Sequence, residues 1–236
     1  MSETSMSSGR PRGFDKGRAL DRALELFWTR GYDGTSLADL TEAIGVSRPS
    51  LYAAFGDKAE LFRAVVKHYA AEHAGYVRHA LEQPTAADAI GTLLTDAAAA
   101  FTAPDHPPGC LFVHGALATG DEGAVARDLL LAERLGRQAA IRARLARAAD
   151  DGDLPAGADP VAVAEYVMAV LNGMAVQALG GADRSALLAV AEFALRALGL
   201  AGSGTDPPKK RRDRPARGSN KAPKPDGSPG QLAMDL

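Results

Sequence analysis

Apolar residues recur at three- and four-residue spacing along most of the chain, and polar punctuation cuts that pattern into helices rather than strands. Over residues 15–30, Leu20, Ala23, Leu24, Phe27 and Trp28 form one stripe, which predicts a helix with a single buried face. Gly31 follows as a left-handed cap, and Tyr32 turns back to pack. A second helix starts at Thr35 or Ser36, carries Leu37, Leu40, Thr41 and Ile44 inward, and stops at Gly45-Val46. Ser36 with Asp39 three residues on approximates a capping box. A third helix opens at Ser47 with Pro49 in its first turn, where a missing N–H costs little. It directs Leu51, Tyr52 and Phe55 inward and ends at Gly56. Asp57 and Glu60 box the start of a fourth, which runs through Leu61, Phe62, Val65, Val66 and Tyr69.

The pattern then lengthens. Thr85 caps a helix to about residue 103, with Ile90, Leu93, Leu94 and Phe101 inward. A loop with three prolines covers residues 104–109, and a short apolar helix covers 110–117. A long helix begins at Asp121 or Glu122 and reaches about residue 149, carrying Arg134, Arg137, Arg142, Arg144 and Arg147. Asp159 and Pro160 open a helix to about residue 179 that is apolar nearly all round, so it is expected to be buried on every side. Gly180-Gly181 ends it, and residues 183–198 form the last helix. From 201 to 236 the chain is rich in Pro, Gly, Lys and Arg without apolar period, and a disordered basic tail is expected. The expected organisation is a flexible basic arm (1–14), a head (15–60), a helical body (61–200) and that tail.

Composition agrees with the pattern. Alanine, the best helix former, supplies 48 of 236 residues, and the class expected is all-α. One cysteine excludes an intrachain disulfide framework and a multi-cysteine zinc site. No uninterrupted apolar run of about 18 residues occurs, so no membrane span is expected. Residues 1–12 lack an apolar core, so no secretory signal is expected there and a cytoplasmic location is.

Charge changes the picture only when it is resolved by segment. The net charge is −2, with 8 Lys/Arg against 9 Asp/Glu in residues 1–60, 11 against 16 in 61–200, and 8 against 4 in the tail. The head does not advertise nucleic-acid binding by bulk charge, so any cations that touch DNA must be placed locally.

A helix of about eight residues, a glycine-containing turn, and a short helix opening on polar residues have helix-turn-helix spacing. The fuller series is Ala23-Leu24-Glu25-Leu26-Phe27, Gly31-Tyr32-Asp33-Gly34-Thr35-Ser36, Ile44-Gly45-Val46-Ser47-Arg48-Pro49-Ser50-Leu51-Tyr52, and Phe55-Gly56-Asp57-Lys58-Ala59-Glu60-Leu61-Phe62. It resembles the DNA-binding domain of the TetR/AcrR family of bacterial regulators over residues 12–65. The resemblance implies a three-helix helix-turn-helix domain followed by a helical ligand-binding and dimerisation domain. It also implies a homodimer on a double-stranded palindromic operator, most simply a repressor released by a small-molecule effector, with no catalytic activity and no cofactor.

The same resemblance places the helix from Ser47 to Phe55 in the major groove. Arg48 would reach a guanine edge or a phosphate. Ser47 and Ser50 are short donors, and Pro49 offers an apolar face to a thymine methyl. Thr35 and Ser36 open a helix whose free N–H groups suit a phosphate. Lys58 resembles the family's phosphate-contacting lysine, and Tyr52 offers a hydroxyl to a phosphate or packs as a core aromatic. Ala53 and Ala54 stand where many members carry an aromatic and a histidine, so Arg10, Arg12, Lys16 and Arg18 would compensate from the arm and first helix.

For the effector, Phe101, Cys110, Phe112, His114, Tyr166, Met168, Asn172, Met174 and Gln177 are the candidate lining of a mostly apolar pocket. Cys110 and His114 are four apart, with His106 nearby, which leaves a metal- or redox-sensing regulator as one alternative. A constitutive architectural DNA binder is another. No third orienting residue accompanies Cys110 and His114, so no catalytic or metal residue is assigned.

Overall fold

The computed structural model describes residues 15–117 and 123–201. Among them the regular elements are α1 (Lys16–Arg30), α2 (Leu37–Ile44), α3 (Arg48–Phe55), α4 (Lys58–Glu72) and α5 (Tyr76–Leu81). They continue as α6 (Ala86–Phe101), α7 (Leu111–Leu117), α8 (Ala124–Asp150), α9 (Pro160–Leu179) and α10 (Arg184–Ala197). The class is all-α, as expected. Arg10 and Arg12 of the arm, and the basic tail beyond 201, lie outside the described residues.

The helices begin where short polar side chains can hold a first-turn N–H. Asp15, Ser47, Asp57, Thr85, Asp159 and Asp183 each accept such a bond. Ser36 and Asp39 form a reciprocal box at the start of α2. Each cap contributes about 0.5–2 kcal/mol. In the turn between α2 and α3, Gly45 takes the left-handed conformation (φ 77°, ψ 36°) and donates its N–H to the Thr41 carbonyl at 3.0 Å. Gly31 departs from the expected left-handed cap: at φ 72°, ψ 175° it lies in an extended region open essentially to glycine alone.

The small N-terminal core is aromatic. Phe27 of α1 meets Phe62 of α4 edge-to-face at 5.0 Å, and Tyr32 stacks on Phe27 at 5.9 Å. Leu40, Leu51 and Leu61 close it from α2, α3 and α4. The boundary expected at residue 60 falls in the first turn of α4, which crosses it without a break. Farther along the same helix, Val65, Val66 and Tyr69 are buried.

In the body α6 packs against α5, α9 and α10, and α8 against α7 and α9. Ala86, Ala89, Ala97 and Ala98 of α6 are fully buried, and their small size lets neighbouring backbones approach. Two elements differ from expectation. The six-residue α5 had too few apolar positions to show a period. The second is α9, which is buried along one side only. Val163, Val167, Leu171 and Met174 enter the core, while Val161, Val176 and Leu179 are 51%, 47% and 56% exposed. By length and hydropathy α9 could cross a membrane. Glu165, Asn172 and Gln177 interrupt its apolar sequence, and it packs on α6, α7, α8 and α10.

Nothing stands within 4 Å of a Cβ built on Gly45. Gly45→Ala should therefore lower unfolding free energy by the left-handed penalty alone, about 1–2 kcal/mol in a urea titration. An unchanged midpoint would show that the turn relaxes.

Candidate nucleic-acid interface

Leu51 is fully buried and fixes the phase of α3. That phase leaves Ser47, Arg48, Pro49, Ser50 and Tyr52 on the outside. The Ser47 hydroxyl takes the Ser50 N–H at 3.3 Å and lies 2.9 Å from the Ser50 hydroxyl, so the two serines hold one another in place with acceptor capacity to spare. Arg48 makes no ion pair among the described residues and is free to meet an acceptor outside the chain. Pro49 shows an apolar face to solvent. The inward placement expected of Tyr52 is corrected: it is 44% exposed, because the residue after Leu51 is rotated by about 100° around the helix.

The start of α2 also differs from expectation. Thr35 is 0% exposed, and its hydroxyl donates to the Gly31 carbonyl at 2.8 Å. That hydroxyl is committed to the turn after α1 and is not offered to a phosphate. Ser36 is exposed, but it donates to the Asp39 carboxylate at 2.5 Å and accepts the Asp39 N–H at 3.1 Å. Hydrogen bonds from Ser36, with Arg30 at 3.2 Å, hold the Asp39 carboxyl below the usual carboxylate range. The positive end of α2 thus already carries an anion of its own. Lys58 lies with its ammonium 4.2 Å from the centre of the Tyr32 ring, a cation–π contact that aims the side chain.

The candidate effector residues do not assemble into one cavity. Phe101, Cys110, Phe112, His114 and Met174 are buried in the continuous core. Tyr166 is exposed on the outer side of α9, and Asn172 lines a shallow groove between α8 and α9. The larger clefts lie elsewhere. One of about 650 Å³ opens between α1, the end of α4 and the 104–108 loop. Another, of about 590 Å³, runs between α4–α5 and α8. Cys110 accepts a hydrogen bond from the Tyr69 hydroxyl at 3.4 Å. His114 packs toward the Ala175 carbonyl, and burial draws its pKa down. His106 stacks instead on Trp28 at 4.8 Å. No cluster of three or more metal-ligating side chains occurs among the described residues.

Sequence reasoning missed the seam that joins these parts. Trp28 of α1 meets Tyr69 of α4 edge-to-face at 4.9 Å, and Tyr69 meets Phe112 of α7 at 4.8 Å. His73 stacks on Tyr69 at 5.5 Å. Burial, then the neighbouring imidazoles of His106 and His68, hold His73 below its ordinary pKa. The available signal was Trp28 itself, a large aromatic at the far end of the first apolar stripe.

Comparison with known proteins bears on what this surface does. Residues 19–65 match the pattern of bacterial regulatory proteins of the tetR family, and residues 86–193 match the tetracyclin repressor-like C-terminal domain. The HTH-type transcriptional repressor ComR of Escherichia coli K12 is 33% identical over 194 residues, covering 80% of this chain and 91% of that protein. The TetR family transcriptional regulator CifR, solved as a cysteine mutant complexed with 26 bp double-strand operator DNA, is 46% identical. Its TM-score is 0.75, over 80% of this chain and 99% of that one. A TetR regulator from Rhodococcus sp. RHA1 is 42% identical with a TM-score of 0.55, over 78% of this chain and 99% of that one.

Two substitutions separate surface from scaffold. On DNA selected by the protein, Arg48→Ala should weaken binding by about 1–3 kcal/mol, read by fluorescence anisotropy. Thr35→Val should lower unfolding free energy by about 1–3 kcal/mol and leave DNA affinity unchanged. A matching loss of affinity in Thr35→Val would return its hydroxyl to the interface.

Proposed function

As the chain belongs to the TetR family of bacterial regulatory proteins, we propose that it is a repressor that binds a palindromic operator as a homodimer and releases it on binding a small-molecule effector. The observation that carries the reading is the exposed run at the start of α3. Arg48 makes no ion pair there among the described residues, and it is flanked by two serines and a proline on a helix whose other side is locked by Leu51. In this reading Arg48, Ser47, Ser50 and Pro49 face base edges, while Tyr52, Lys58 and Arg12 of the arm meet phosphates, and Ser36, engaged by Asp39, stays with the fold. Such an operator would lie in the bacterial cytoplasm, where in this reading the protein acts.

The dimer rests on surface that one chain leaves uncovered. Val161, Val176 and Leu179 of α9 and Phe193 of α10, the last 65% exposed, point outward from neighbouring helices. A two-fold axis through that face buries the same residues on both chains and matches a two-fold operator. Repression is favoured over activation by the names of the relatives: ComR, BdcR and IcaR are named as repressors or negative regulators, while FasR is named an activator.

Selection of bound fragments from random DNA tests the reading. A two-fold palindrome is expected, its half-sites about one helical turn apart. Val176→Asp with Phe193→Asp should sediment as a monomer and lose operator affinity. A single non-repeated half-site, or a variant that stays dimeric, would contradict the dimer.

A further inference from the structure

Arg137 is a half-buried cation in the body that forms no ion pair among the described residues. It shares the inward side of α8 with Ile141, Arg144 and Ala148 on the following turns, all three buried. Arg144 is fully accounted for: its guanidinium donates to the Gln83 and Pro84 carbonyls at 3.0 and 3.1 Å. Arg137 instead lies over the Phe112 ring, 5.2 Å from its centre, close enough to the Cys110 sulfur and to the Tyr69 and Tyr76 hydroxyls for its charge to interact with them. Among the described residues no carboxylate pairs with it. A guanidinium cannot shed its proton. Removing an unpaired charge from water is costly, and a sulfur is a weak substitute for an anion.

The neighbours add donors rather than acceptors. The Tyr69 hydroxyl donates to the same sulfur at 3.4 Å. The Tyr76 hydroxyl is buried without a partner among the described residues and lies close enough to Arg137, Cys110 and the Asp96 carboxylate to feel all three. Burial holds both phenols well above their ordinary pKa, so both keep their protons. Donor groups from α4, α5 and α8 therefore gather near the Cys110 sulfur. An open groove of about 590 Å³ runs between the same three helices, lined by small apolar residues such as Ala70, Ala74 and Ala140 and also by Arg78, Glu82 and Arg147, with Ala140 one turn along α8 from Arg137.

We propose that this cluster is the head-group site of an anionic effector, a carboxylate with an apolar body, held by Arg137, Tyr69 and Tyr76. The proposal rests on the reading of the chain as effector-released. The carboxylate replaces the thiol as acceptor, and the apolar body lies along the alanine side of the groove. Tyr69 packs on Trp28, so an anion that draws the Tyr69 hydroxyl off Cys110 acts on the two helices, α4 and α1, that carry the reading head.

Trp28 is the only tryptophan and touches Tyr69, so its emission reports the site directly. The full chain would be titrated with octanoate and 4-phenylbutyrate, and with the matching neutral amides. Both carboxylates should shift Trp28 emission and weaken operator binding by at least about tenfold, while the amides do neither. Arg137→Gln should raise the carboxylate Kd at least about tenfold without lowering Tm or unliganded operator affinity, since it removes an unpaired cation. Tyr76→Phe, which deletes one unpartnered hydroxyl, should also weaken carboxylate binding and keep the fold. The proposal is overturned if the amides match the acids, if neither variant changes carboxylate binding, or if no carboxylate binds at millimolar concentration. Operator release by N-ethylmaleimide but by no carboxylate would assign Arg137 to a Cys110 thiolate instead. A neutral compound that releases operator equally from Arg137→Gln would sink the anion site and leave the effector reading standing. Failure to bind any selected operator would sink the reading beneath it.

Discussion

Trp28 is held between α1, α4 and the proline loop, and the relation of head to body depends on that contact. Its ring meets Tyr69 at 4.9 Å and His106 at 4.8 Å, while Tyr69 passes the contact on to Phe112. Each aromatic pair contributes about 0.5–1.5 kcal/mol beyond its burial. The seam is reinforced at its edge, where the His68 imidazole sits 2.6 Å from the Asp21 carboxylate. Because α4 is one helix from Lys58 to Glu72, its first turns belong to the reading head and its last to the body. A displacement at Tyr69 cannot be absorbed by a hinge at residue 60, since there is none.

Two features of the body are left unbalanced by a single chain, and each points outward to something it lacks. The outer faces of α9 and α10 keep Val176, Leu179 and Phe193 in water, which favours a second apolar surface. Inside, Arg137 lies near Tyr69, Tyr76 and Cys110 and forms no ion pair among the described residues, which favours an anion. The two demands lie on different helices and are met by different partners. In the proposed reading a dimer would fix where the two heads stand, and an anion at Tyr69 would change how each head is held.

The head was legible because its signals are local. Ser36, Ser47 and Asp57 announce helix starts, and Phe27, Trp28, Leu51 and Phe62 announce the face that packs. The hydroxyl of Thr35 was not legible, because a threonine before a helix can turn to its own chain or to a ligand with equal ease. Tyr52 was misplaced for a related reason: an amphipathic ring fits either side of a short helix, and only the phase set by Leu51 decides. The all-round burial expected of α9 assumed that one chain supplies every neighbour. The candidate effector lining scattered because its residues come from α6, α7 and α9, whose relative rotation no local pattern encodes. Arg137 read only as one of several arginines on the long helix, since its inward direction depends on how α8 meets α4 and α7.

The central claim is that head and body are one mechanical unit closed at Trp28. Equilibrium urea unfolding followed by Trp28 fluorescence and by far-ultraviolet circular dichroism tests it directly. The account predicts superimposable transitions for the native chain, and separated transitions for Tyr69→Leu, with the head melting first. Separated transitions in the native chain, or coincident ones in Tyr69→Leu, would contradict it.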